Sequence, residues 1–225
     1  MGEVINVAYK LSQMCLSESK YGLKASYPMT PQGVVVHNTA GASSARAEAT
    51  AMLNNNSAVS YHVIADESEV IELVPFSRNC WHAGDGSNGF ANRNLIGIEI
   101  ARSMDYSDDK YDRAEANAVE YIAWVCVQYG WTSANLHQHN WYSSTACPHR
   151  LKDHWNTFKR KVDERIAEIN ENSAPTHPSD NNEPSEWAAD AWAKAIEMGL
   201  LDGTRPHDAV TREELAAVFV RLSEK

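Results

Sequence analysis

"GVVVH", residues 33–37, is the stretch from which the fold is read. Three consecutive β-branched residues, Val34, Val35 and Val36, suit a strand buried on both faces. His37 stands at the end of the run, where a side chain leaves the core and faces a cleft. Outward from it, "AGASS" is a turn, and "SARAEATAMLNNN" reads as a helix with Ser43 or Ser44 as N-cap and the Asn run as its stop. "AVSYHVIADESEVIELVP" predicts two strands joined at "DESE", a hairpin with Val59, Tyr61 and Val63 on one face and His62 and Ile64 on the other. In "LIGIEIA" Ile96, Ile98 and Ile100 share a face, so Gly97 and Glu99 point together to the other, a carboxylate beside a glycine that leaves room for a ligand. The lead before Gly33 reads as irregular, and "SRNCWHAGDGSNGFANRN" as a long loop of the kind that carries function.

Two longer helices follow. "YDRAEANAVEYIAWVCVQYG" has a capping-box-like start at Asp112 and Glu115, a stripe of Ala118, Ile122, Val125 and Tyr129, and Gly130 as C-cap. "LKDHWNTFKRKVDERIAEIN" places Trp155, Phe158, Val162, Ile166 and Ile169 on one face. "ENSAPTHPSDNNEP" has three prolines and almost nothing apolar, which is linker composition. The organisation expected is a domain over 1–170, a linker over 171–184 and a small helical segment over 185–225. That segment holds "SEWAADAWAKAIEMG" and "TREELAAVFVRL", the latter opened by Thr211 and Glu214, and it is too short to be an independent globule.

Twenty Lys and Arg against thirty Asp and Glu give a formal charge of -10. There is no basic excess with which to release counterions from a phosphate backbone, so nucleic acid is not the expected partner. No window approaches ~18 consecutive apolar residues, so no membrane span is expected. The opening "MGEVINVAYKLSQMCLSESK" lacks a basic region followed by an apolar run, which reads as the absence of a signal peptide. The four cysteines, Cys15, Cys80, Cys126 and Cys147, form no CxxC pair, and Cys126 sits among apolar residues as a small core hydrophobe.

"HQHNWYSSTACPHR", residues 137–150, packs three histidines and a cysteine together. With His37 it offers His37, one of His137 or His139, and Cys147 as zinc ligands. Three protein ligands with a fourth position open is the arrangement of a hydrolytic zinc site, in which water is acidified and a carbonyl polarised. Glu99, on an exposed sheet face, is the general base for that water.

Five ordered motifs, "VVVHNTAGASS", "VSYHVIADESEVIELVP", "CWHAGDG", "IGIEIARS" and "HNWYSSTACPHR", resemble the zinc-dependent N-acetylmuramoyl-L-alanine amidases, related to phage endolysins and peptidoglycan recognition proteins. The resemblance covers roughly residues 4–170, and "HNTA" with "CPHR" is similar to endolysins of phages that infect Gram-positive hosts. It implies an α/β fold, a central mixed β-sheet flanked by helices with zinc in a surface groove. It also implies His37, His139 and Cys147 as zinc ligands, His139 by its eight-residue separation from the cysteine, with His137 the alternative. Glu99 matches the general base and Tyr61 a tyrosine that positions water or stabilises the oxyanion. Several relatives have lysine two residues before the cysteine where this chain has Thr145, a hydroxyl donor without charge. Trp81 and His82 lie in the loop expected to wall the groove as substrate contacts.

The reaction implied is hydrolysis of the amide joining N-acetylmuramic acid to L-alanine in bacterial peptidoglycan. A zinc endopeptidase within the stem peptide, a non-catalytic recognition module and a purely structural zinc site are the competing readings. The tail resembles a single S-layer-homology-like repeat, which implies binding to a secondary cell-wall polymer, with self-association into a homo-oligomer as the alternative. The expected course is synthesis in the cytoplasm and action on the wall after release at phage lysis.

Overall fold

The computed structural model describes residues 9–173, 189–201, 218 and 220, and the chain divides into two units, residues 1–170 and 171–225. The first unit is built on six strands, β1 Lys10–Gln13, β2 Gly33–Asn38, β3 Val63–Ala65, β4 Glu69–Glu72, β5 Leu95–Ile100 and β6 Leu136–Gln138. Their order is β1-β4-β3-β5-β2-β6. The β3–β4 hairpin is antiparallel and the other pairings are parallel, so the sheet is mixed. Helices α1 Tyr21–Lys24, α2 Ala45–Asn54, α3 Phe90–Asn94, α4 Lys110–Tyr129 and α5 Trp155–Ser173 accompany it.

Strand β2 is buried along its whole length, and the two sheet faces are covered by different helices. On one, Val34, Val36, Ile96, Ile98 and Ile100 pack against Ala118, Ile122 and Val125 of α4 and Phe158, Val162 and Ile169 of α5. Each fully buried aliphatic side chain contributes about 1.5–3 kcal/mol relative to exposure. On the other, α2 lays Ala45, Ala49 and Met52 over Ile64 and Ile71, while Ala91 of α3 packs with Val35, Ala83 and Leu95. The odd and even residues of β2 and β5 therefore separate, as a period of two requires, and His37 and Glu99 belong with Val35 and Gly97 on the α2/α3 side.

Local signals explain most elements. Ser44 caps α2 by accepting from the Ala47 N–H. Asp66 organises the hairpin turn, accepting from the backbone N–H groups of Ser68 and Glu69 and, through its other oxygen, from the first N–H of α2 at Ala45. Gly130 ends α4 in the left-handed conformation at φ 66.

The structure also departs from the sequence reading. The lead is not irregular: it holds β1 and α1, and β1 is a polar edge strand paired with β4. Tyr61 precedes β3 and packs with Ile64 rather than sharing a face with Val63, because strand alternation does not reach back to residue 61. Helix α4 starts at Lys110 without a side-chain cap, so Asp112 and Glu115 form no capping box. Glu115 instead is buried and paired with Lys161 and His154 at 3.1 and 3.0 Å. Tyr129 leaves the core stripe and stacks on Trp131.

In the second unit, α6 spans Ala189–Glu197 and is followed by Gly199 at φ 64. The linker read over 171–184 is helical at its start, since α5 reaches Ser173. Its remainder, and the helix opened by Thr211 apart from Val218 and Val220, lie outside the described residues. No helix among the described residues is long and apolar enough to cross a membrane.

Candidate metal centre and its cleft

Parallel pairing of β2 with β5 sets His37 opposite Glu99 in register, so both side chains emerge on the same face at the carboxyl ends of adjacent strands. Beyond β6 the chain turns through His139–Trp141 and returns past Cys147, whose carbonyl accepts from the Asn140 N–H at 2.9 Å. These segments enclose a cleft of about 490 Å³ lined by His37, Tyr61, His82, Glu99, His139, Thr145 and Cys147, among others.

His37, His139 and Cys147 offer ligand atoms that all lie within 4.8 Å of one another. His37 Nδ1 is 3.0 Å from His139 Nδ1 and 3.9 Å from the Cys147 sulfur. His37 Nε2 meets His82 Nδ1 at 2.9 Å, and His139 is hydrogen-bonded to the Ala83 backbone. The two Nδ1 atoms thus face each other with the cysteine sulfur close by, a donor set that a cation can bridge. Burial holds His37 well below the usual imidazole range, reinforced by His82 and His139, and lowers His139 as well, against the opposing pull of Ala83 and Asp85. The imidazolium forms are therefore disfavoured, and two neutral imidazoles beside a thiol fit a metal as a donor set. Cys147 has its thiol pushed up to about 12 by burial and by Glu99, with the Asn38 N–H acting in the other direction; metal binding must displace that proton.

Glu99 has one carboxyl oxygen, Oε2, enclosed without a hydrogen-bond partner. Burial, then the charge of Glu48, raise its pKa to about 8, so the group can hold or release a proton near neutrality. Burial and Glu99 raise the Tyr61 phenol, which stays protonated as a donor. Thr145 lines the same cleft, and its hydroxyl accepts from the Cys147 N–H at 3.3 Å.

The structure does not bring every expected residue to the cleft in the same way. His137 is turned from the cluster, with Nδ1 2.7 Å from the Tyr142 hydroxyl and its ring against Trp141. Trp81 packs edge-on against Tyr27, with centroids 6.0 Å apart, and its backbone N–H donates to Ser60 Oγ. His82 borders the cleft but is 8% exposed, and both ring nitrogens are bonded inside the protein, to His37 and to the Leu95 carbonyl at 3.1 Å. It has no nitrogen left for a substrate. The space that Gly97 leaves is filled by this same ring: a Cβ at Gly97 would lie 2.7 Å from His82 Cγ. His62 is a satisfied sheet residue, accepting from the Gly97 N–H and bonded to the Arg78 carbonyl, each at 2.9 Å.

Sequence reasoning gave three contributors no role in the cleft itself. The Asn38 N–H donates to the Cys147 sulfur at 3.2 Å, while its side chain bonds the Tyr111 hydroxyl and the Arg150 N–H, tying β2, α4 and the cysteine loop together. His149 lines the cleft with a buried Nε2 that lacks a partner. Lys24 is fully buried and donates to Asn55 Oδ1 and the carbonyls of Ser57 and Val59, holding the segment that forms the cleft's rim. The only available signal was the motif "HNTA" for Asn38 and "CPHR" for His149. A buried lysine 31 to 35 residues from its partners leaves no local trace.

Residues 27–150 match the family profile described as N-acetylmuramoyl-L-alanine amidase. The chain is 35% identical over 165 residues to N-acetylmuramoyl-L-alanine amidase CwlA of Bacillus subtilis (strain 168), covering 72% of this chain and 60% of that protein. It is 37% identical over 153 residues to N-acetylmuramoyl-L-alanine amidase XlyB of the same organism, covering 67% and 48%. The chain thus spans about half to three fifths of the length of these relatives. Among solved structures, "Structure of PlyL" superposes with a TM-score of 0.65 at 36% identity, over 69% of this chain and 98% of that one.

Proposed function

We infer the activity from one premise: the chain belongs to the N-acetylmuramoyl-L-alanine amidase family. The protein is a peptidoglycan hydrolase that cleaves the amide between the lactyl group of N-acetylmuramic acid and the L-alanine of the stem peptide. The observation that carries this reading is the juxtaposition of His37, His139 and Cys147 with the enclosed Glu99 carboxyl in one open cleft.

Two imidazoles and a thiolate make a donor set suited to zinc(II), which when bound supplies a Lewis acid that polarises the amide carbonyl and acidifies water. The protein's own residues do the rest. Glu99 takes a proton from the attacking water as its oxygen adds to the carbonyl carbon, and returns it to the nitrogen as the carbon–nitrogen bond breaks, leaving a carboxylic acid and a free amine. A carboxyl with a pKa near 8 before the cation is bound is brought lower by the added positive charge, into the range where it both accepts and donates. Tyr61 and Thr145 donate hydroxyl hydrogens to the developing oxyanion, and Trp81 is the proposed substrate contact from the loop, outside the cleft's own lining.

The test is digestion of purified Gram-positive peptidoglycan with and without a chelator, followed by mass spectrometry. Intact glycan strands and stem peptides beginning at L-alanine, lost on chelation and restored by zinc, are the expected products. Cuts inside the peptide would make the protein an endopeptidase, and bound but uncut wall a recognition module.

For residues 185–225 the proposed role is attachment to a secondary cell-wall polymer, on the resemblance to a single S-layer-homology-like repeat; self-association is the alternative. A chain ending at Asn172 should still digest soluble fragments but sediment less with whole walls. Equal sedimentation would remove the targeting role. Release at phage lysis is the proposed setting in which the enzyme meets its wall.

A further inference from the structure

The geometry points to His82 as a positioning residue of the metal centre, which we infer selects the tautomer of His37 that leaves Nδ1 bare toward His139 and Cys147. The argument runs inward from the sheet. The Leu95 carbonyl can only accept, so at 3.1 Å it takes the Nε2 hydrogen of His82. A neutral His82 with its hydrogen on Nε2 has an unprotonated Nδ1, and the 2.9 Å contact from that atom to His37 Nε2 requires His37 to be the donor. A neutral His37 that donates through Nε2 presents a lone pair at Nδ1, the atom that faces His139 and the cysteine.

The relay is built rather than incidental. The His82 and Ala83 N–H groups both donate to Asn92 Oδ1, at 2.9 and 2.8 Å, which fixes the backbone that presents the ring. Gly97 forms its floor, since a Cβ there would lie within 2.9 Å of three ring atoms. The His82 ring then stands edge-on to His37 at 85° with centroids 5.0 Å apart. Glycine at 97 is therefore a requirement of the relay: the space it leaves seats the ring that orients a ligand.

This inference rests on the reading of His37 as a metal ligand, and the experiment separates the two. Zinc affinity of the full-length protein is measured by competition with a chromophoric chelator for wild type, Cys147→Ser, His82→Leu, His82→Asn and Gly97→Ala. Loss of an orienting partner typically weakens metal binding ~10- to 100-fold, and that loss is expected for His82→Leu. His82→Asn, whose Oδ1 can stand in for Nδ1 as the acceptor, should recover most of it. Gly97→Ala, which displaces the ring without touching a ligand, should fall with His82→Leu. Wild-type affinity in His82→Leu, or failure of His82→Asn to recover any, would overturn the relay while leaving the metal site intact. A wild-type protein that binds no zinc would remove the metal reading and the relay with it. If His82→Leu does not fold, nitrogen-15 spectra of the wild-type imidazoles in the metal-free protein decide: hydrogen on Nε2 of both His37 and His82 is expected, and hydrogen on His37 Nδ1 overturns the proposal.

Discussion

Glu99 shows how one side chain can be costly to the fold while serving the chemistry proposed for the cleft. Its carboxyl titrates near 8 in the metal-free protein against about 4.5 when unburied. Between those values the unfolded chain has released the proton that the folded chain retains, so stability falls as pH rises through the window. Glu99→Gln removes this dependence. In chelated protein the variant should match wild type near pH 4 and exceed it at pH 8 by on the order of a few kcal/mol, measured by denaturant unfolding. Its hydrolysis of peptidoglycan should drop ~10²- to 10⁴-fold while zinc binding persists. A variant no more stable at pH 8 would mean the carboxyl is not held protonated by its surroundings. Glu99 was legible because the Ile96, Ile98, Ile100 alternation forces it to the opposite face. The bonding of His82 was not, because its partner His37 lies 45 residues away.

Strands β2, β5 and β6 are the elements that set the donors, and their closeness has a specific requirement at Gly33. A Cβ there would stand 2.5 Å from the Asn135 carbonyl oxygen and 3.3 Å from Leu95 Cδ2. Gly33→Ala must push β6 outward, and β6 leads directly into His139. The substitution should destabilise the protein by about 1–3 kcal/mol and weaken zinc binding, read from unfolding midpoints and chelator competition; unchanged values would show that β6 can shift freely. At this scale the sequence was readable where an element buries a continuous apolar face, as in β2, β5, α4 and α5. It was unreadable where pairing alone makes the element: β1 reads "KLSQ" and exists because β4 offers it an edge. The hairpin faces failed for a related reason, since periodicity was extended over residues that the ladder does not include.

For the molecule as a whole, the metal would join parts of the chain that lie far apart in sequence. His37 and Cys147 are 110 residues apart, so a bound ion acts as a cross-link across most of the first unit, favouring the folded state wherever the unfolded chain cannot assemble the same ligands. At a free zinc concentration 100 times its dissociation constant the gain is about 2.7 kcal/mol. Chelation should therefore lower the thermal midpoint, and Cys147→Ser should abolish most of the difference; a midpoint indifferent to zinc would argue against the site. The same separation bears on manufacture. The β2 histidine leaves the ribosome long before the returning cysteine loop has been translated, and no nascent chain that stops short of Cys147 contains all three donors. The three-donor cluster is accordingly absent from every nascent fragment short of that loop, and comes into being only when a late segment closes onto an early one.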